Sequence, residues 1–153
     1  MKENKINVGI NIDDIDFPSC GFTITRKGGN RAILYFNDEV KDALQLYLNE
    51  RKEKEKDKFP ISPAFFISIQ NKRIGVRAVE KLVQKYAKIV SPLKPITPHK
   101  LRSTFGTSLY RATKDIYVVA EVLGHRDVNT TKKHYAAISE DIKKEASTKV
   151  KLR

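Results

Sequence analysis

The order of apolar and polar positions along this chain changes period after residue 36, separating a strand-forming beginning from a helix-forming remainder. Ile10-Asn11-Ile12-Asp13-Asp14-Ile15-Asp16-Phe17 mixes apolar with acidic residues around a predicted first strand. Phe22-Thr23-Ile24-Thr25 and Ala32-Ile33-Leu34-Tyr35-Phe36 are β-branched or aromatic runs, which suit a pleated, half-buried surface. Between them stands Arg26-Lys27-Gly28-Gly29-Asn30-Arg31. Two glycines and an asparagine tolerate positive φ, so this stretch predicts a β-hairpin. Its turn projects Arg26, Lys27 and Arg31, which reads either as a charged sheet edge or as a contact to an anion.

A helical period follows. Asn37 can cap a helix whose first residues, Asp38 and Glu39, suit the positive end of its dipole. Val40, Ala43, Leu44, Tyr47 and Leu48 then fall on one face. Arg51 to Lys58 alternates in charge and reads as a solvated helix end or linker, which Pro60 and Pro63 break. Phe65-Phe66-Ile67-Ser68-Ile69 is too short for its period to assign a state. From Gly75 onward, Val76, Val79, Leu82, Val83, Tyr86, Ile89 and Val90 form an amphipathic helix whose other face carries Arg77, Lys81, Lys85 and Lys88. Thr97-Pro98 supplies a cap and a first-turn proline for a helix to about Arg111. A second helix, Asp115 to Leu123, stops at Gly124; a third begins near Asp127 or Asn129 and carries Tyr135. From Ser139 the chain predicts a charged helix with few apolar anchors. The fold class is α+β, mainly helical: a small N-terminal antiparallel sheet followed by a helical bundle.

Composition narrows the class. At 153 residues and 40% hydrophobic, the chain can close one core, and no stretch approaches the ~20 apolar residues of a membrane span. One cysteine, Cys20, gives neither a disulfide framework nor a cysteine zinc finger and fits a reducing cytosol. The formal charge is +12, and it is unevenly placed. Residues 1–50 carry 6 basic and 8 acidic side chains, residues 51–96 carry 12 and 4, and residues 97–135 carry 7 and 3. Positive charge in the folded middle, rather than in a tail, predicts a polyanionic partner held through phosphates. A merely solubilising surface is the alternative.

Three short patterns could carry chemistry. His99 and Arg102 lie three apart in the first turn of a helix, where free backbone N–H groups point outward; an arginine fork and a histidine there suit a phosphate. Taken alone, the pattern more often marks an ordinary capped helix with an exposed histidine. His125, after Leu123-Gly124, sits at a helix stop that can aim a side chain into a cleft or serve structure only. Tyr135 is one of six tyrosines, and taken singly it reads as packing.

Taken together, the patterns resemble the tyrosine recombinase (phage integrase) family. Thr97-Pro98-His99-Lys100-Leu101-Arg102-Ser103-Thr104-Phe105, Val119-Ala120-Glu121-Val122-Leu123-Gly124-His125 and Thr130-Thr131-Lys132-Lys133-His134-Tyr135 match its H-x-x-R box, its L-G-H box and its nucleophilic tyrosine in order. The resemblance implies that Tyr135 attacks a DNA phosphodiester to form a 3′-phosphotyrosyl link and free a 5′-hydroxyl. Arg102 and His125 would stabilise charge on the phosphate oxygens, and His99 would bond the phosphate or handle the tyrosine proton. The family also places a catalytic lysine at a hairpin turn, matching Lys27 best, to protonate the leaving oxygen. Arg26, Arg31, Arg77, Lys81, Lys85, Lys88 and Lys100 would hold the DNA backbone.

The same resemblance implies double-stranded DNA and other recombinase protomers as partners, a tetramer in the synapse, and a cytoplasmic location, nucleoid-associated on DNA. It implies no cofactor, no metal and no membrane. The family carries a further arginine in a G-L-R-x-[ST]-E-like helix before the first strand. Alignment puts it near Glu3, and no arginine precedes Arg26. The expectation is a single catalytic domain, 1–153, without that helix or the N-terminal core-binding domain, and with 139–153 as a C-terminal docking helix. Losing one phosphate clamp lowers rate by roughly 10²–10³, which predicts weak activity for this stretch alone. A non-catalytic DNA-binding or assembly role is the competing reading. A histidine metal hydrolase is disfavoured, because no H-x-x-x-H pair occurs. A type IB topoisomerase shares the chemistry, but the compact intervals between boxes favour a recombinase.

Overall fold

The computed structural model describes residues 8–26 and 28–150, so Lys27 at the hairpin tip lies outside the described residues. The chain divides into two compact units, Met1–Pro95 and Ile96–Arg153.

The first unit holds an antiparallel sheet in the order β1 (Ile15–Asp16), β2 (Gly21–Thr25), β3 (Arg31–Tyr35). The predicted first strand shrinks to two residues. Ile12–Asp14 instead makes a single 3-10 turn, because the Asp14 carboxylate accepts the Asn11 N–H at 2.8 Å and draws the chain into a bend. β2 and β3 form the predicted hairpin, pairing Phe22 with Leu34 and Ile24 with Ala32. Gly28 (φ 86°) and Gly29 (φ 81°) take the left-handed backbone that its turn requires. Phe17 and Phe22 both contact Phe36, with ring centroids 6.4 and 6.2 Å away.

Helix α1 (Asp38–Glu55) starts where Asn37 Oδ1 accepts the Val40 N–H at 2.9 Å. Here one expectation fails. Arg51 and Glu55, read as part of a solvated charge run, are buried. The Arg51 guanidinium bonds Glu55 at 3.0 Å and donates to the carbonyls of Ser62 (2.7 Å), Ala64 and Phe65 (2.8 Å). The segment after Pro60 forms no regular ladder with a strand, so its buried carbonyls need a donor from elsewhere, and Arg51 is that donor. The run at 65–69 proves to be irregular chain with a core role. Phe65 is fully buried and packs against Tyr47 and Phe66, and the Tyr47 hydroxyl accepts the Ile67 N–H at 3.0 Å. Arg73 ties this segment to the carbonyls of Val8 (2.9 Å) and Ile10 (3.1 Å). Helix α2 (Val76–Val90) follows, with no buried residue of its own.

Among the described residues the second unit holds four helices: α3 (Pro98–Thr113), α4 (Ile116–Leu123), α5 (Val128–His134) and α6 (Ala136–Lys149). The predicted start and stop signals act as read. Thr97 Oγ1 accepts the Lys100 N–H at 3.2 Å, and Asp115 Oδ1 accepts from Tyr117 at 2.9 Å. Asp127 Oδ1 accepts from Asn129 at 2.9 Å, and Gly124 (φ 73°) closes α4. Tyr110, Val119 and Tyr135 form the core of this unit, surrounded by Leu109, Ile116, Leu123, Ile138 and Ile142. Ile138 and Ile142 therefore anchor α6 on its own chain.

Candidate active site

The elements of the second unit bring three of the predicted residues together. His99 and Arg102 lie on one face of the first two turns of α3, both exposed. The Arg102 guanidinium reaches across to α4 and donates from Nη2 to the carbonyl of Leu123, the last residue of that helix. A helix end leaves its final carbonyls without intrahelical partners, so this bond satisfies an orphan acceptor while fixing the arginine. The Gly124 and His125 N–H groups fold back onto Glu121 (3.1 Å) and Ala120 (2.9 Å), a stop that turns the His125 side chain off the helix axis.

His125 is half-buried, and its Nδ1 hydrogen-bonds the hydroxyl of Thr131 on α5, which is fully buried. Partial burial holds the imidazole below its usual titration range, and the nearby charges of Arg102 and His134 push the same way. Both causes favour the neutral form of the ring.

Tyr135 stands between helices: α5 ends before it, α6 begins after it, and its own backbone (φ −109°, ψ 17°) is not helical. The expectation that a helix carries Tyr135 is thus replaced by a junction. Its N–H is held by the Thr131 carbonyl at 3.1 Å. The ring is 2% exposed, tilted against Tyr110 (5.9 Å) and edge-on to His134 (4.8 Å). The hydroxyl lies against the α3 backbone at Gly106, one turn beyond Arg102. A Cβ at Gly106 would overlap the phenol oxygen and come within 3.1 Å of both Tyr135 Cζ and Leu123 Cδ1. Burial raises the phenol above its ordinary range, and the Arg102 charge works against that rise.

Gly106, Thr131 and His134 are site neighbours that the sequence reading passed over. Glycine inside a helical pattern is a signal of close backbone approach, so Gly106 could have been found. Nothing in the sequence separates Thr131 from Thr130. The backbone-binding candidates are spread out. Arg26 and Arg31 flank the hairpin turn, Lys100 lies in the first turn of α3, and Arg77, Lys81, Lys85 and Lys88 line one exposed face of α2. Among the described residues no group of three or more His, Cys, Asp or Glu could hold a metal ion, and no helix is long and apolar enough to cross a membrane.

An antiparallel hairpin sheet followed by helices, with arginine, histidine and tyrosine boxes gathered at the ends of three of them, is the layout of a tyrosine recombinase catalytic domain. The chain belongs to the phage integrase family, whose model matches residues 7–141. It is 34% identical over 129 residues to tyrosine recombinase XerC of Thermodesulfovibrio yellowstonii, covering 80% of this chain and 42% of that protein. The crystal structure of XerA recombinase superposes with a TM-score of 0.77 at 25% identity, over 95% of this chain and 52% of that one. XerH recombinase, solved on a palindromic difH substrate after cleavage, shares the fold at a TM-score of 0.73 and 22% identity, over 96% of this chain and 41% of that one. The chain thus spans about half or less of the length of the proteins it matches.

Proposed function

We propose that this chain breaks and rejoins double-stranded DNA through a phosphotyrosyl intermediate at Tyr135. The observation that carries this reading is the position of Arg102, which bonds the Leu123 carbonyl two residues before His125 and stands one turn before Gly106, where the Tyr135 hydroxyl rests. A fixed guanidinium beside a neutral histidine and a phenol supplies what phosphoryl transfer needs: charge stabilisation on the non-bridging oxygens and a nucleophile. Tyr135 Oη attacks phosphorus and loses its proton, to His99 or to water. The P–O5′ bond breaks, and Lys27 gives the leaving oxygen its proton. The phosphotyrosyl link keeps the bond energy, so a second 5′-hydroxyl can reverse the step without ATP.

A 2% exposed tyrosine cannot meet a phosphate from solvent, so its ring must leave the Gly106 seat when DNA binds. The non-helical backbone at Tyr135 provides a hinge. Helix α6 contributes to this control. To dock on a neighbouring protomer in a tetrameric synapse it would withdraw Ile138 and Ile142 from the Tyr135 cluster, linking assembly to release of the nucleophile. Arg26, Arg31, Arg77, Lys81, Lys85, Lys88 and Lys100 hold the duplex by its phosphates, adding affinity more than sequence choice.

The test is incubation with a pool of nicked duplexes of randomised sequence, from which the small 5′ fragment is lost on cleavage. Recombinase chemistry predicts DNA that stays attached to the protein through detergent and high salt, and loss of that species in Tyr135→Phe. Salt-sensitive binding with no covalent species would leave a binding or assembly module instead.

A further inference from the structure

Thr131 touches two of the site residues at once. Its carbonyl accepts the Tyr135 N–H at 3.1 Å, and its hydroxyl bonds His125 Nδ1. The residue is fully buried, so its hydroxyl is out of contact with bulk solvent. A threonine hydroxyl has one proton to place, and a buried one must find an acceptor. Two exposed threonines of this unit place theirs within their own helix. Thr104 donates to the Lys100 carbonyl at 2.9 Å, and Thr113 to the Leu109 carbonyl at 2.8 Å. Among the described residues Thr131 makes no such bond, and its hydroxyl's one partner there is the imidazole nitrogen.

We infer that Thr131 is a positioning residue that donates its hydroxyl proton to His125 Nδ1, locking the imidazole in the Nε2–H tautomer as a hydrogen-bond donor to the scissile phosphate. The inference rests on the recombinase reading for its purpose, but the tautomer itself does not. With Nδ1 occupied as an acceptor, the proton of a neutral ring can sit only on Nε2. The charged and titratable groups near the ring, Arg102 from α3 and His134 from α5, both disfavour a second proton. His125 is then a fixed neutral donor. It cannot act as the base that takes the Tyr135 proton, which leaves that task to His99 or water. Because the same residue holds the Tyr135 amide, donor and nucleophile are set from one point on α5.

The experiment is a long-range ¹H–¹⁵N correlation spectrum of the DNA-free chain labelled at histidine, above the titration range of His125, with His125→Gln to assign the ring. The expected result is a protonated Nε2 and a bare Nδ1 for His125. Thr131→Ser should keep that pattern, and Thr131→Val should lose it to a mixture of tautomers. On the nicked pool, the rate of covalent attachment should fall roughly 10²-fold in Thr131→Val, as when one oxyanion donor is lost, and recover in Thr131→Ser. A protonated Nδ1 in the unaltered chain would overturn the inference, as would an unchanged spectrum in a folded Thr131→Val. If Thr131→Val does not fold, the spectra of the unaltered chain and of the serine variant decide alone. Absence of covalent attachment with the predicted spectrum would sink the recombinase reading and leave the tautomer standing.

Discussion

The Tyr135 hydroxyl rests where only glycine on α3 leaves room for it, and that contact makes a sharp prediction at the scale of one residue. Gly106→Ala would overpack the seat, lowering stability by about 1–3 kcal/mol and displacing the ring toward solvent. Ultraviolet titration should then show one phenol returning toward its ordinary value of about 10, a change absent when Tyr135→Phe is added. The buried phenol also sets a stability slope. Its folded pKa is raised, so its contribution is complete below about pH 10 and is lost as pH rises through the folded value. His125 has the opposite sign. Its folded pKa is lowered, so its contribution is present above about pH 6.5 and is lost as pH falls through the folded value. Denaturation between pH 5 and 7.5 should therefore show acid loss of stability in the unaltered chain and a flatter profile in His125→Gln. At this scale His99, Arg102, His125 and Tyr135 could be picked from the sequence because their spacing matches known boxes. Thr131 could not, since its role depends on which of two adjacent threonines faces inward.

Elements were legible wherever a cap marked them. Asn37, Thr97, Asp115, Asp127 and Gly124 announce five helix ends through side-chain oxygens and a positive φ, all local chemistry. The end of α1 was not legible, because alternating charge reads as solvated when the partner is irregular chain 11–14 residues away. The buried Arg51–Glu55 pair is a fastener for that chain. Arg51→Ala would leave a buried carboxylate and three carbonyls without a donor, so urea denaturation should show a loss of about 3–5 kcal/mol. Joint replacement by Met and Leu should recover much of that loss, since apolar residues of similar volume can stand in for a buried pair. A loss below 1 kcal/mol in Arg51→Ala would mean that water, not the arginine, serves those carbonyls.

For the whole molecule, net charge predicts a polyanion but not how it is held. Each phosphate contact contributes about 0.9 to the slope of log affinity against log salt on duplex DNA. Lys81→Ala with Lys85→Ala should therefore lower that slope by about 2, read by fluorescence anisotropy on a fixed duplex, if both lysines of α2 meet the backbone. An unchanged slope would place the DNA elsewhere. The division into two units falls where Pro92, Pro95 and Pro98 interrupt the helical period, a break that reads equally well as a loop inside one domain, so only contacts reveal the boundary. The proposed role of Tyr135, on which those proposed for Arg102 and His125 depend, turns on where the covalent bond forms. Nuclease digestion of the protein–DNA adduct, then trypsin and mass spectrometry, locates it directly. The predicted result is a nucleotide retained through phosphate on Tyr135, in the peptide from His134 to Lys143. A nucleotide on any other residue, or none on any peptide, would contradict it.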